Sequence, residues 1–115
     1  MDISIKRVYE PAAKSDGKRV LVDRIWPRGL TKAEAKVDLW LKEVAPSTEL
    51  RKSFGHDPEK WLDFQKKYKE ELKENPALAE LKAVAKDGTI TLIFAAKDED
   101  HNNAVVLKQI LSQSA

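Results

Sequence analysis

The sequence predicts a small layered α/β domain with a short, largely parallel sheet of three or four strands and several flanking helices. Three observations predict it. Two apolar runs of strand type, 20–22 and 90–94, are continuous or, with Thr91 as the one break, almost so, as in strands buried on both faces of a parallel sheet. The long segment between them carries helical spacings and helix-cap residues. A further helical stretch follows the second run, so the order is strand, strand, several helices, strand, helix. The length, 115 residues, is that of one domain spanning 1–115.

Residues 3–9, Ile-Ser-Ile-Lys-Arg-Val-Tyr, alternate as a strand does. Pro11 and Asp16-Gly17 punctuate the stretch that follows. The second strand is read over Lys18–Trp26. Its connection to the first is short for a crossover, so an antiparallel pairing of these two strands stays open. Thr31 and Glu34 fit a capping box at a helix start. Leu39, Trp40, Leu41 and Val44 read as a short apolar helix face ended by Pro46. Ser47 caps a short helix through Leu50, Arg51 and Phe54, which Gly55 stops. Asp57-Pro58 opens the next helix, whose buried stripe is Trp61, Phe64, Tyr68 and Leu72. Asn75-Pro76 restarts a helix with Leu78, Leu81 and Ala85 inward, and Gly88 closes it. Thr89–Ala95 is the central strand. Asp98 caps the last helix, with His101 in its first turn and Val105, Val106, Leu107, Ile110 and Leu111 packed on the sheet.

Composition excludes several classes. There is no cysteine, so thiol catalysis, cysteine zinc sites and disulfide scaffolds are out. No run approaches the ~20 apolar residues of a membrane span, and the first residues lack the apolar core of a signal peptide. The expected location is cytoplasmic, with no membrane partner. Neither histidine has metal-ligand spacing, so no metal site and no cofactor are expected. Net charge is +2 overall, but residues 1–36 carry nine Lys/Arg against five Asp/Glu. That local excess favours anionic ligands and falls short of a nucleic-acid footprint.

The densest chemistry lies in residues 20–29, Val-Leu-Val-Asp-Arg-Ile-Trp-Pro-Arg-Gly. An apolar strand ends there in Asp23 and Arg24, and the loop delivers Arg28. Charges at the end of a buried strand are costly unless paired or used. A second cluster, Lys97, Asp98, Asp100, His101 and Asn102, follows the central strand. In open α/β sheets ligands bind at the carboxyl ends of strands, so parallel neighbours would bring both clusters to one edge. Arg24, Arg28, Lys97 and Asn102 are the candidate ligand-binding residues, since arginine forks and a helix N-terminus suit an anion. His56 and His101 are candidate proton-transfer groups, with Asp23 to orient one of them. Each also has a structural reading: ion pair, loop entry or cap.

Val-Asp-Arg-Ile-Trp-Pro-Arg-Gly (22–29), Ala-Pro-Ser (45–47), Leu-Arg-Lys-Ser-Phe-Gly-His-Asp-Pro (50–58), Trp-Leu-Asp-Phe (61–64) and Ala-Ala-Lys-Asp-Glu-Asp-His-Asn (95–102) resemble the YeaO-like branch of the DUF488 family. The resemblance runs over nearly the whole chain, and it implies an uncharacterised protein. The broader family looks like a strand ending in Val-Asp-Val-Arg and a later strand leading into Asp-Pro-Glu-His-Cys-His-Arg. This chain matches the first at Val22, Asp23 and Arg24, with the arginine one place early. It matches the second at Asp98 and His101, and has Asn102, Asn103 and Ala104 where Cys, His and Arg would stand. The resemblance therefore carries over the site's location and no thiol chemistry.

The leading expectation is binding of an anionic small molecule, a nucleotide or phosphorylated metabolite, with acid–base catalysis by the histidines as an open addition. It requires both clusters to share one pocket. Nucleic-acid binding, with Trp26 stacking on a base, is a second reading. A non-catalytic interaction module or homodimer is a third; Trp40 or Trp61 exposed in an apolar patch would be its sign. Oligomeric state is not legible.

Overall fold

The computed structural model describes residues 2–113. Four strands, β1 (Ile3–Arg7), β2 (Lys18–Leu21), β3 (Leu39–Trp40) and β4 (Ile90–Phe94), form one sheet in the order β1-β4-β2-β3. All three pairings are parallel. The helices are α1 (Lys32–Ala35), α2 (Thr48–Phe54), α3 (Trp61–Lys73), α4 (Pro76–Lys86) and α5 (Asn103–Gln113). Short 3-10 turns lie at Lys14–Asp16, Lys42–Val44 and Pro58–Lys60. The expected α/β class and largely parallel sheet are therefore found.

β4 is the central strand and every residue of it is buried. Its alternation divides the molecule. Ile90, Leu92 and Phe94 join the main core with Val20 of β2 and residues of α2, α3, α4 and α5. Ile93 points the other way, with Leu21, Val8 and Ala35, against the half-buried Trp26 and Leu30. The sheet is thus covered on both faces, which is why its strands read as continuous apolar runs. The helical layer is held by the stripe foreseen on α3, where Phe64, Tyr68 and Leu72 are all buried.

The caps follow the sequence signals except at α5, where Asn102 rather than Asp98 accepts from the first turn. Thr31 Oγ1 accepts from the Glu34 N–H at 3.2 Å, and the Glu34 carboxylate accepts from the Thr31 N–H at 2.9 Å. Ser47 Oγ accepts from the Leu50 N–H, and Gly55 ends α2 in the left-handed region. Asn75 accepts from the Ala77 N–H, with Pro76 at the first helical position.

Several expectations are corrected. Residues 39–41 are not helical. Leu39 and Trp40 pair with Val20 and Leu21, and the Leu41 N–H donates to the Leu21 carbonyl at 2.9 Å. Three adjacent apolar residues fit a strand better than a helix face, and the edge of β2 offered open partners. Only Lys42–Val44 forms a helical turn. β2 stops at Leu21 rather than Trp26, because Asp23 turns its carboxylate onto the neighbouring strand. β1 and β2 do not pair at all; β4 lies between them. Asp57-Pro58 opens a 3-10 turn, and α3 proper begins at Trp61. His101 precedes α5 instead of sitting in its first turn.

The second face of the sheet carries a buried ionic network. Asp16 is 6% exposed and Arg19 4%. Arg19 donates to Asp16 at 2.7 Å and to the carbonyls of Ala35 and Lys36. Asp16 also accepts from Lys6 at 3.1 Å and from the Ala13 N–H at 3.0 Å. Burial alone would raise the Asp16 carboxyl. The Ala13 N–H and the Lys6 and Arg19 side chains outweigh it and hold it below its ordinary 3.8. The stability this ionised group supplies is complete above its unfolded value and is lost as pH falls through the lower folded one.

Two predictions follow from this face. Asp16→Ala leaves Arg19 buried and unpaired and should cost about 3 kcal/mol in urea denaturation; a loss under ~0.5 kcal/mol would contradict the network's role. Gly17 has φ +64°, and a Cβ there would lie 2.2 Å from the Thr89 carbonyl oxygen. Gly17→Ala should therefore destabilise by about 2 kcal/mol or more in the same measurement, whereas an unchanged midpoint would refute the close approach.

Candidate functional site

β2 and β4 run parallel in the register Leu21↔Ile93, so the segments that leave them emerge side by side. Pairing continues one step further, with the Val22 N–H donating to the Ile93 carbonyl at 3.1 Å. Then Asp23 replaces backbone with side chain. Its Oδ2 accepts from the Ala95 N–H at 2.8 Å, and its Oδ1 accepts from Asn103 Nδ2 at 3.2 Å. The same Asn103 amide donates to the Val22 carbonyl at 2.9 Å. One carboxylate thus joins the ends of two strands to the start of α5. Burial pushes the Asp23 carboxyl up from its ordinary value, against the Ala95 N–H, the Asn103 amide and the nearby charges of Arg51 and His56.

Above this junction opens a cavity of about 630 Å³, within the ~300–1,000 Å³ typical of small-molecule sites. Asp23, Arg24, Arg28, His56, Lys97, His101 and Asn102, the seven residues singled out from sequence, all line it. Its apolar surface comes from Ala45, Pro46, Phe54, Phe64, Ala95 and Ala96. The wall at 45–46 is fixed from beneath. Tyr68 donates its hydroxyl to the Val44 carbonyl at 2.6 Å, Asn75 donates to the Glu43 carbonyl, and Glu71 accepts from the Ser47 N–H and hydroxyl. Tyr9 reaches over from the end of β1 and donates to the Arg28 carbonyl at 2.9 Å, tying down the 24–29 loop.

The seven residues divide by what already holds them. Arg24 donates to the carbonyls of Ala45 and Pro46 at 3.2 and 3.4 Å, so it braces the wall. Asn102 is buried; it accepts from the Val105 N–H as the cap of α5 and donates to the Asp98 carbonyl. Asp98 accepts from the N–H groups of Asp100 and His101, and its Oδ2 lies 2.9 Å from His101 Nδ1. The hydrogen bond with His101 leads in holding the Asp98 carboxyl below its ordinary range. The His101 ring packs edge-on to Trp61, with centroids 5.2 Å apart. The approach to α5 is therefore dressed with the chain's own side chains. By contrast, the side chains of Arg28, Lys97 and His56 make no hydrogen bond or ion pair among the described residues.

Arg51 is a fourth such group, and the sequence reading passed over it. It projects from α2 into the same cavity and lies near enough to Asp23 to act on its charge. Its signal was present: it lies in the same 50–58 segment as His56. Asn103 was also missed, because its partners Val22 and Asp23 are 81 and 80 residues away in sequence.

The chain belongs to the inactive DUF488-N3 subclade. The model for the family described as "Inactive DUF488-N3 subclade" matches residues 2–115. The uncharacterized protein YeaO of Escherichia coli is 44% identical over 108 residues, covering 93% of this chain and 94% of that protein. The uncharacterized protein Rv3073c of Mycobacterium tuberculosis is 43% identical over 110 residues, covering 96% of this chain and 93% of that protein. No solved structure matches the chain. This DUF488 chain contains, among its described residues, no cluster of ligands able to hold a metal ion and no helix long and apolar enough to cross a membrane.

The tryptophans bear on the other readings. Trp26 is half-buried, donates to the Leu30 carbonyl at 2.7 Å and meets Trp40 edge-on at 5.4 Å. It packs on Trp40 and the 26–30 loop and also lines the cavity. Trp61 packs on Phe54 and Phe64. Trp40 is 36% exposed, with its indole N–H donating to the Asp23 carbonyl.

His56 has a further peculiarity. Its φ is 58°, directly after Gly55 at 56°. Two successive left-handed residues swing the chain back after α2 and hold the imidazole at the cavity. Histidine pays for that conformation in strain where glycine would not. His56→Gly should raise stability by about 0.5–1 kcal/mol in urea melts. A destabilised variant would mean that the side chain supports the fold rather than facing a ligand.

Proposed function

We propose that this protein binds an anionic small molecule, a nucleotide or phosphorylated metabolite, in the cavity at the carboxyl ends of β2 and β4. One observation carries the reading. Arg28, Arg51 and Lys97 line a single, largely apolar cavity, and their side chains make no hydrogen bond or ion pair among the described residues. The two carboxylates of the lining, Asp23 and Asp98, are already engaged by backbone and side-chain donors. The cavity therefore offers net positive charge and donors to spare, beside an apolar surface for the body of a ligand.

Binding without turnover is the form we favour. Of the groups suited to proton transfer, His101 is occupied by Asp98 and Trp61, and Asp23 by Ala95 and Asn103. Only His56 is uncommitted. Asn102, Asn103 and Ala104 occupy the places of Cys, His and Arg in the broader family pattern, and the first two serve as a helix cap and a strand tie. The family description, an inactive subclade, agrees with a pocket kept for recognition.

Isothermal titration and thermal shift with a panel of nucleoside monophosphates, sugar phosphates and inorganic phosphate test this. At a ligand concentration of 100 Kd, the wild type should gain about 2.7 kcal/mol of stability. Arg28→Ala and Arg51→Ala should each weaken binding about tenfold or more, with no loss of fold, since neither side chain holds the structure together. Equal response of wild type and both variants to every compound would exclude this cavity as the site.

A further inference from the structure

We propose that the ligand is a guanine nucleotide whose base edge is read by Asp23; this rests on the anion-binding reading and extends it from charge to ring identity. The starting observation is the position of Asp23. It is a carboxylate in the lining of a cavity whose wall also includes the apolar Phe54, Phe64, Pro46 and Ala95. Phe54 and Phe64, which stack on one another at 4.5 Å, add aromatic surface to that lining.

Each Asp23 oxygen accepts one hydrogen bond from the protein, from Ala95 and from Asn103. A carboxylate oxygen has room for two. The two remaining acceptor positions belong to a group partly removed from water, and burial already disfavours its charge. A ligand that fills the cavity and displaces the remaining water must supply N–H or O–H donors there, or the complex bears an unsatisfied carboxylate.

A cationic donor is disfavoured, because the Arg51 guanidinium already shares the cavity lining with Asp23 and acts on its charge. The donors should therefore be neutral and carried on a ring. Guanine presents two adjacent neutral donors, the N1–H and the 2-amino group, on one edge. Adenine sets an acceptor beside its amino group, and xanthine replaces the 2-amino group with an oxygen. Both would oppose lone pairs to a carboxylate. With the base edge against Asp23, the phosphate falls to Arg28 and Lys97, uncommitted cations of the same lining.

The test is calorimetry with GMP, IMP, XMP, AMP and inorganic phosphate on the wild type and on Asp23→Asn. We expect GMP to bind the wild type at least tenfold more tightly than XMP or AMP, with IMP, which lacks the 2-amino group, between. Asp23→Asn exchanges one acceptor for a donor, so the GMP-to-XMP ratio should collapse or invert within that variant. The ratio is insensitive to any general loss of stability, and if the variant does not fold the wild-type panel decides alone. Nucleotides that bind the wild type within twofold of one another would overturn the guanine assignment and leave the anion site standing. So would binding of inorganic phosphate without any nucleotide. Binding of none of these, phosphate included, would remove both.

Discussion

The carboxylate of Asp23 is the point on which the upper edge of the sheet depends. Parallel strands that splay apart at their ends leave backbone groups without partners, and here a side chain takes over where the ladder stops. By accepting from Ala95 and Asn103, Asp23 fixes the exit of β4, the exit of β2 and the entry of α5 relative to one another. Arg7 does the complementary work from β1, donating to the carbonyls of Ala95 and Ala96. Both the donor and the acceptor sides of the 95–96 backbone are thus held by side chains. A cavity floor built in this way is rigid without being closed, which is what a recognition site needs.

The walls follow from the same economy. The 42–47 segment has little regular structure, yet Tyr68 and Asn75 each satisfy one of its polar groups, and Glu71 and Arg24 two each. Tyr68 is fully buried, and burial pushes its hydroxyl well above the ordinary tyrosine range, with the charges of Asp23 and Glu71 adding to the effect. It remains a neutral donor to the Val44 carbonyl. The five arginines divide into two kinds, and Lys97 goes with the second. Arg7, Arg19 and Arg24 are consumed by carbonyls and carboxylates of the fold. Arg28, Arg51 and Lys97 are not, and all three line the cavity. That division points to function more sharply than net charge, since a total of +2 contains both kinds.

Much of this was legible in the sequence, for physical reasons. Continuous or nearly continuous apolar runs at 20–22 and 90–94 announced strands buried on both faces, and Thr31, Ser47 and Asn75 announced helix starts, because such signals are local. The convergence of the two polar clusters followed from one inference, that the strands are parallel neighbours. What the sequence hid was long-range. Leu39 and Trp40 became a strand only because the edge of β2 was open to them. The placement of β4 between β1 and β2 has no local signature. The free state of Arg51 and the committed state of Arg24 look alike in a sequence, since both are arginines near apolar residues; only the carbonyls that Arg24 reaches distinguish them. His101 was expected as an available base and is instead tied to Asp98 and seated against Trp61.

The central claim is that one cavity, at the carboxyl ends of β2 and β4, recognises an anion. The most direct measurement is an NMR titration of the isotopically labelled protein with inorganic phosphate and, in a second sample, with GMP, followed through backbone amide shifts. The account predicts saturable shifts confined to residues 23–28, 51–56 and 95–97, with the amides around Lys6, Lys14 and Lys36 unmoved. Shifts centred on those three lysines, or no saturable shift anywhere, would contradict it.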